Sequence, residues 1–181
     1  VKAVLAAQWP RAERVKKASP RMIYPFLKGS TYYSGVLPVE GITDPADYKD
    51  RYKLIFDFWT GKSEDYKQGK FNPGIDEIIR NLNLHMASGI PENRMDVAVV
   101  VHRPASTAFL NNEAYQKQFG VNNPNLDLIS QLQKKGVVFT ICGQTLQLRE
   151  IEMDKLVTGM RKSQSARTAF STYQLKGYVL F

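Results

Sequence analysis

The alternation of apolar and polar positions is clearest from residue 52 onward. Tyr52-Lys53-Leu54-Ile55-Phe56-Asp57-Phe58 is a β-branched and aromatic run and reads as a first core strand. A polar loop is expected from Gly61 to Lys70. Asn72-Pro73 then opens a helix, with Pro73 suited to its first position and Asp76 and Glu77 near its positive end. Ile75, Ile78, Ile79 and Leu82 recur at helical spacing, which predicts one buried face before Gly89 stops the helix. Met95–Val101 is nearly continuous in apolar residues, as in a strand covered on both faces.

The same rhythm continues to residue 181. A helix is expected over Asn111–Phe119, and a second opens at Asn123-Pro124 with Leu126, Ile129 and Leu132 on one side, closing at Lys134-Lys135-Gly136. Val137–Cys142 is the third strand, and one or two short helices are expected from Thr145 to about Gly159. Met160–Ser163 reads as a short strand. Ala166–Lys176 reads as a helix with Ala166, Ala169, Phe170 and Tyr173 inward, and Tyr178–Phe181 as a last strand. Strand–helix–strand alternation with short links implies an α/β fold of about five mainly parallel strands, with helices on both faces. Residues 1–50 are broken by Gly29, Gly35, Pro38, Gly41 and Pro45. They predict an irregular arm with one short helix near Ala12–Ala18, set apart from an α/β domain over 51–181.

Charge changes this picture at one place. The chain of 181 residues carries a formal net charge of +8. Residues 1–28 hold seven basic residues against Glu13 alone, whereas residues 63–121 hold six basic and seven acidic ones. Only Trp9, Tyr24 and Phe26 accompany the basic residues of the arm. A solvated or partner-contacting extension is therefore expected, and not a nucleic-acid surface. No apolar run approaches the roughly 20 residues of a membrane helix. One cysteine excludes an internal disulfide framework, and with two histidines no metal centre is expected. No cofactor is expected either, since neither common Gly-rich phosphate loop is present. The first residue is Val, which fits an exported or periplasmic protein whose leader has been removed, with the cytoplasm as the alternative.

In open parallel sheets ligands bind at the carboxyl ends of the strands. Here those ends offer Asp57-Phe58-Trp59, His102-Arg103-Pro104 and Cys142-Gly143-Gln144-Thr145. Cys142 ends a strand before a helix, and helix N–H groups lower a thiol's pKa and make it a nucleophile. His102 is the candidate proton shuttle or donor to an anion. Gly143, Gln144, Thr145, Arg103 and Asn111 are the candidate binding residues, with Thr145 a candidate helix cap. Arg103, Lys162 and Arg167 are basic residues that could frame an anion. Asn111, Asn112, Asn122 and Asn123 read mostly as caps, and His85 as structural.

The ordered set Met95–His102, Asn111-Asn112-Glu113-Ala114-Tyr115, Asn123-Pro124-Asn125-Leu126, Phe139–Leu146 and Ser165–Phe170 resembles the DsrE/DsrF-like family of sulfur-relay proteins. The resemblance covers about residues 52–181. It implies a five-stranded α/β fold assembled as a homotrimer or homohexamer of bacterial type. It also implies a persulfide carried on Cys142 and passed between a donor and an acceptor protein. Arg103-Pro104 departs from the Gly-Pro of many relatives. The alternative reading is an oligomeric binding or assembly module without turnover, holding a small anion or cofactor in the same crevice.

Overall fold

The computed structural model describes residues 11–181. Lys2 and Trp9 of the basic arm lie outside the described residues. The described residues divide into two compact units, residues up to 48 with 76–92 and residues 49–75 with 93–181.

The second unit holds the sheet. Strands β1 (Tyr52–Phe58), β2 (Met95–Val101), β3 (Val138–Cys142), β4 (Arg161–Ser163) and β5 (Val179–Leu180) lie in the order β4-β3-β2-β1-β5, and every pairing is parallel. The first two strands match their sequence limits residue for residue. β3 starts one residue later than expected. Register sets Leu54 beside Val97, Val99 beside Phe139 and Cys142 beside Ser163.

Because side chains alternate along a strand, each strand serves both faces. On one face Ile55, Ala98, Val100 and Cys142 form a buried cluster with Ala166 and Ala169, and Phe170 and Tyr173 pack against it. Those last four residues belong to the helix Ala166–Leu175. On the other face Phe109, fully buried, meets the rings of Phe58 and Phe139 at centroid distances of 5.8 and 5.0 Å. Phe109 ends a 3-10 segment, Arg103–Phe109, that follows β2 directly. The sheet is thus covered on both sides, which is why its strands read as unbroken apolar runs.

Helices follow the sequence signals with two corrections. In chain order they are α1 (Arg11–Ala18), α2 (Ser63–Lys67), α3 (Pro73–Ala87), α4 (Asn112–Phe119), α5 (Leu126–Lys134), α6 (Gly143–Arg149) and α7 (Ala166–Leu175). The expected loop 61–70 contains α2, a single turn whose Tyr66 is buried. The helix after β3 starts at Gly143, two residues before the expected Thr145, so Cys142 itself occupies the cap position. Asn111 does cap α4, its Oδ1 accepting the Ala114 N–H at 2.9 Å. Asn112 and Asn122 bond each other instead, and buried Asn123 donates to the Ala108 and Leu110 carbonyls.

The first unit fastens the N-terminal segment by buried polar side chains. Asp76, 2% exposed, accepts the N–H groups of Ser30 and Thr31 at 2.7 and 2.9 Å and the Thr31 hydroxyl at 2.6 Å. Asn83, fully buried, accepts the Phe26 N–H at 2.7 Å and donates to the Leu27 and Ser34 carbonyls, both at 2.8 Å. These bonds replace the sheet ladder that an irregular segment lacks. Asp76 was expected only to complement the helix end. Among the described residues no helix is long and apolar enough to cross a membrane.

Candidate functional site

The C-terminal ends of β1, β2 and β3 bring Asp57, His102 and Cys142 to one edge of the sheet. Cys142 is the last residue of β3, and α6 begins at the next residue. Gly143 permits that turn through close approach. A Cβ there would lie 2.7 Å from the Ser163 carbonyl oxygen, a backbone atom that cannot step aside cheaply. Ser163 in turn donates its hydroxyl to the Ile141 carbonyl at 3.3 Å and to the Ser165 carbonyl at 3.1 Å, which holds the start of α7 against β3.

This placement sets the thiol at the cap position of α6 and against Ala166 at the start of α7. Burial pushes the Cys142 thiol up. The Thr145 hydroxyl and the backbone N–H groups of Thr145, Ala166 and Gln144 push it down and prevail, leaving it below its ordinary value. Those N–H groups belong to the first turns of two helices, α6 and α7, and helix starts carry unpaired N–H groups and a positive dipole end. The Ala166 donor comes from an element 24 positions away in sequence, which no reading of the Cys142 neighbourhood alone would find.

The sulfur is not at an open lip. Cys142 is 5% exposed and packs with Val100, Ala166 and Ala169. Helix α7 covers the face of the sheet from which the side chain projects.

His102 follows β2 and its amide donates to the Phe58 carbonyl at 3.0 Å, so the ladder continues one residue past the strand. Its Nε2 lies 2.7 Å from Oδ1 of Asp57. The ring also stands edge-on to Phe170 of α7, with centroids 6.2 Å apart. Asp57 was read only as part of a strand end. The available signal was one carboxylate interrupting the apolar run Leu54–Phe58.

Arg103 has a positive φ of 54°, a left-handed conformation that strains a residue with a side chain. Glycine adopts that conformation without the penalty. The Arg103 N–H donates to Oγ1 of Thr145 at 3.0 Å, and its guanidinium stands 5.8 Å from the Trp59 ring centroid. Thr145 is therefore no helix cap. Its oxygen takes the Arg103 amide, and its hydroxyl is among the groups that lower the Cys142 pKa.

The remaining candidates fall elsewhere. Gln144 and Lys162 line an open cavity of about 660 Å³ with Gln147, Glu152 and Gln164. Arg167 is exposed on α7. Asn111 spends its amide group on the Asp154 carbonyl at 2.9 Å as well as on the cap. His85 bonds the Asn81 carbonyl at 2.7 Å. Among the described residues no group of three or more His, Cys, Asp or Glu side chains could hold a metal ion.

Residues 53–181 match the family model of the DsrE/DsrF-like family. A solved protein of unknown function from Methanobacterium thermoautotrophicum is similar in fold, with a TM-score of 0.52 and 18% identity, over 72% of this chain and 97% of that one. No curated protein matches.

Proposed function

Because this chain belongs to the DsrE/DsrF-like family, whose members suggest a sulfur-relay type of role, we propose that it carries sulfur as a persulfide on Cys142. The observation that carries the reading is the place of the thiol, at the end of β3, at the cap position of α6 and packed against Ala166 at the start of α7, with its pKa held below the ordinary value by Thr145, Gln144 and Ala166. A thiolate attacks sulfane sulfur, and a lowered pKa raises the thiolate fraction. The Cys142 thiolate attacks the outer sulfur of a donor persulfide, R–S–SH. A new S–S bond forms, the donor S–S bond breaks, and its electron pair leaves on the donor as R–S⁻. The product is Cys142–S–SH, with no net oxidant or reductant consumed. Gly143 sets the turn, the N–H groups of Gln144 and Thr145 help lower the thiol's pKa, and His102 is the neighbour of Cys142 on β2 by register.

The relay unit is a homo-oligomer, a trimer or hexamer, that meets separate donor and acceptor proteins. Edge strand β5 supports this, since Val179, Leu180 and Phe181 remain 59%, 44% and 46% exposed and exposed edges invite cover by another chain. Light scattering on the purified protein tests the subunit count.

One observation favours a second reading. The 5% exposure of Cys142 suits a binding or assembly module without turnover, in which the same donors hold a small anion. Mass spectrometry after treatment with a polysulfide separates the two. The carrier reading expects one added sulfur on Cys142, reversed by thiols and lost in Cys142→Ser. No adduct on the folded protein, or one that survives Cys142→Ser, overturns it.

A further inference from the structure

Building on the carrier reading, we propose that His102 is the general base that deprotonates the acceptor thiol, and that Asp57 is the positioning residue that aims its imidazole. The three residues form a row across neighbouring strands. Val101 pairs with Ile141 in the β2–β3 register, so His102 and Cys142 are the next residues on each strand. Asp57 pairs with Val100, two residues before His102. Two-residue periodicity puts Asp57, Val100, His102 and Cys142 on one face. That is the face covered by α7, whose Phe170 meets the His102 ring while Ala166 and Ala169 pack with Cys142.

Stability does not explain the Asp57–His102 pair. Its side chains are 36% and 14% exposed, and part-exposed ion pairs contribute only about 0–1 kcal/mol. A carboxylate inside an apolar strand is also disfavoured. What the contact does supply is orientation. Nε2–H donates to Asp57, which leaves Nδ1 as the nitrogen with a lone pair. Nδ1 has no hydrogen-bond partner among the described residues.

The lowered pKa of Cys142 favours its own thiolate without a further base. An acceptor thiol, with an ordinary pKa of about 8.5, arrives protonated at neutral pH and needs a base. Nδ1 takes that proton. The acceptor sulfur attacks the outer sulfur of Cys142–S–SH, the S–S bond breaks, and the pair returns to Cys142 as its thiolate. The acceptor leaves as a persulfide, and the imidazolium gives its proton to solvent. The titratable group that meets the imidazole is Asp57 on β1, and Cys142 is the neighbour of His102 on β3 by register. From α7 the imidazole meets Phe170, and the Arg103 guanidinium turns toward Trp59.

Two measurements test this. Nitrogen NMR on the intact protein should find neutral His102 protonated at Nε2, and Asp57→Asn should lose that fixed tautomer. An Nδ1–H tautomer in the unaltered protein overturns the proposal whatever Cys142 does. Separately, polysulfide-loaded protein is mixed with 2-mercaptoethanol, and delivery is measured per loaded persulfide against pH. General-base catalysis supplies roughly 100-fold or more, so His102→Gln should slow delivery by about 100-fold. Asp57→Asn, which keeps the imidazole and loses its alignment, should slow it by about 10-fold. Loading that proceeds while delivery ignores both substitutions overturns the base and leaves the carrier standing. Failure of the unaltered protein to load sulfur overturns both.

Discussion

The hydroxyl oxygen of Thr145 accepts the Arg103 amide at 3.0 Å, and the same hydroxyl helps hold the Cys142 thiol below its ordinary value. One side chain thus links the end of β2 to the thiol at the end of β3. Thr145→Val keeps the shape of the side chain and deletes the donor. Hydrogen bonds to charged groups contribute about 1.5–3 kcal/mol, so the Cys142 pKa should rise by roughly one unit or more. Thr145→Ser should restore it. Ultraviolet absorbance of the thiolate reads this directly, because Cys142 is the chain's single cysteine.

The lowered pKa also has a sign in stability. Between the folded pKa and the higher unfolded one, the unfolded chain binds more protons, so stability rises with pH across that window. The contribution is full above the unfolded value and is lost as pH falls through the folded one. Urea unfolding of the unaltered protein and of Cys142→Ser should therefore diverge as pH rises toward the ordinary thiol range and run parallel above it. A constant difference at every pH contradicts the assignment.

Arg103 stores strain at φ 54°. Arg103→Gly relieves it while keeping the N–H that Thr145 needs, and the melting temperature should hold. Arg103→Val places a β-branched residue in the same conformation and should cost about 1–3 kcal/mol.

Gly143 is fixed by contact. In Gly143→Ala the new methyl would press on the Ser163 carbonyl oxygen at 2.7 Å. Overpacking of this kind costs about 1–3 kcal/mol, and here it would also push β4 from β3. Thermal unfolding checks the loss, and amide exchange at Ile141–Ser163 checks where it falls.

Asp76 ties down residues 30 and 31 with three accepted hydrogen bonds. Asp76→Ala leaves those donors without their partner and should destabilise by about 3 kcal/mol. Exchange protection at the Ser30 and Thr31 amides should vanish with it.

The sequence carried the sheet because both faces of β1 and β2 are covered, and Tyr52–Phe58 and Met95–Val101 contrast sharply with what flanks them. It hid α2, since five residues, Ser63–Lys67, are too few to display a helical period. It hid the start of α6, because Gly143 looks like a turn and is one, forced by Ser163. Cys142 and His102 were legible as strand-end residues. Asp57 as the partner of His102 was not, because that pairing depends on β1 lying beside β2. The Ala166 N–H was hidden for the same reason: it reaches Cys142 through the placement of α7, and spacing along the chain records nothing of that. Asp76 was legible only as an acidic residue in the first helical turn, and its partners, like those of Asn83, come from the distant N-terminal segment.

The reaction of Cys142 with a persulfide donor, followed against pH in the folded protein, tests the central claim most directly. A carrier thiolate held by Thr145, Gln144 and Ala166 should react without unfolding and reach half its maximal rate below the pH of an ordinary thiol. A rate that matches global unfolding, or follows the titration of a free cysteine, contradicts the account.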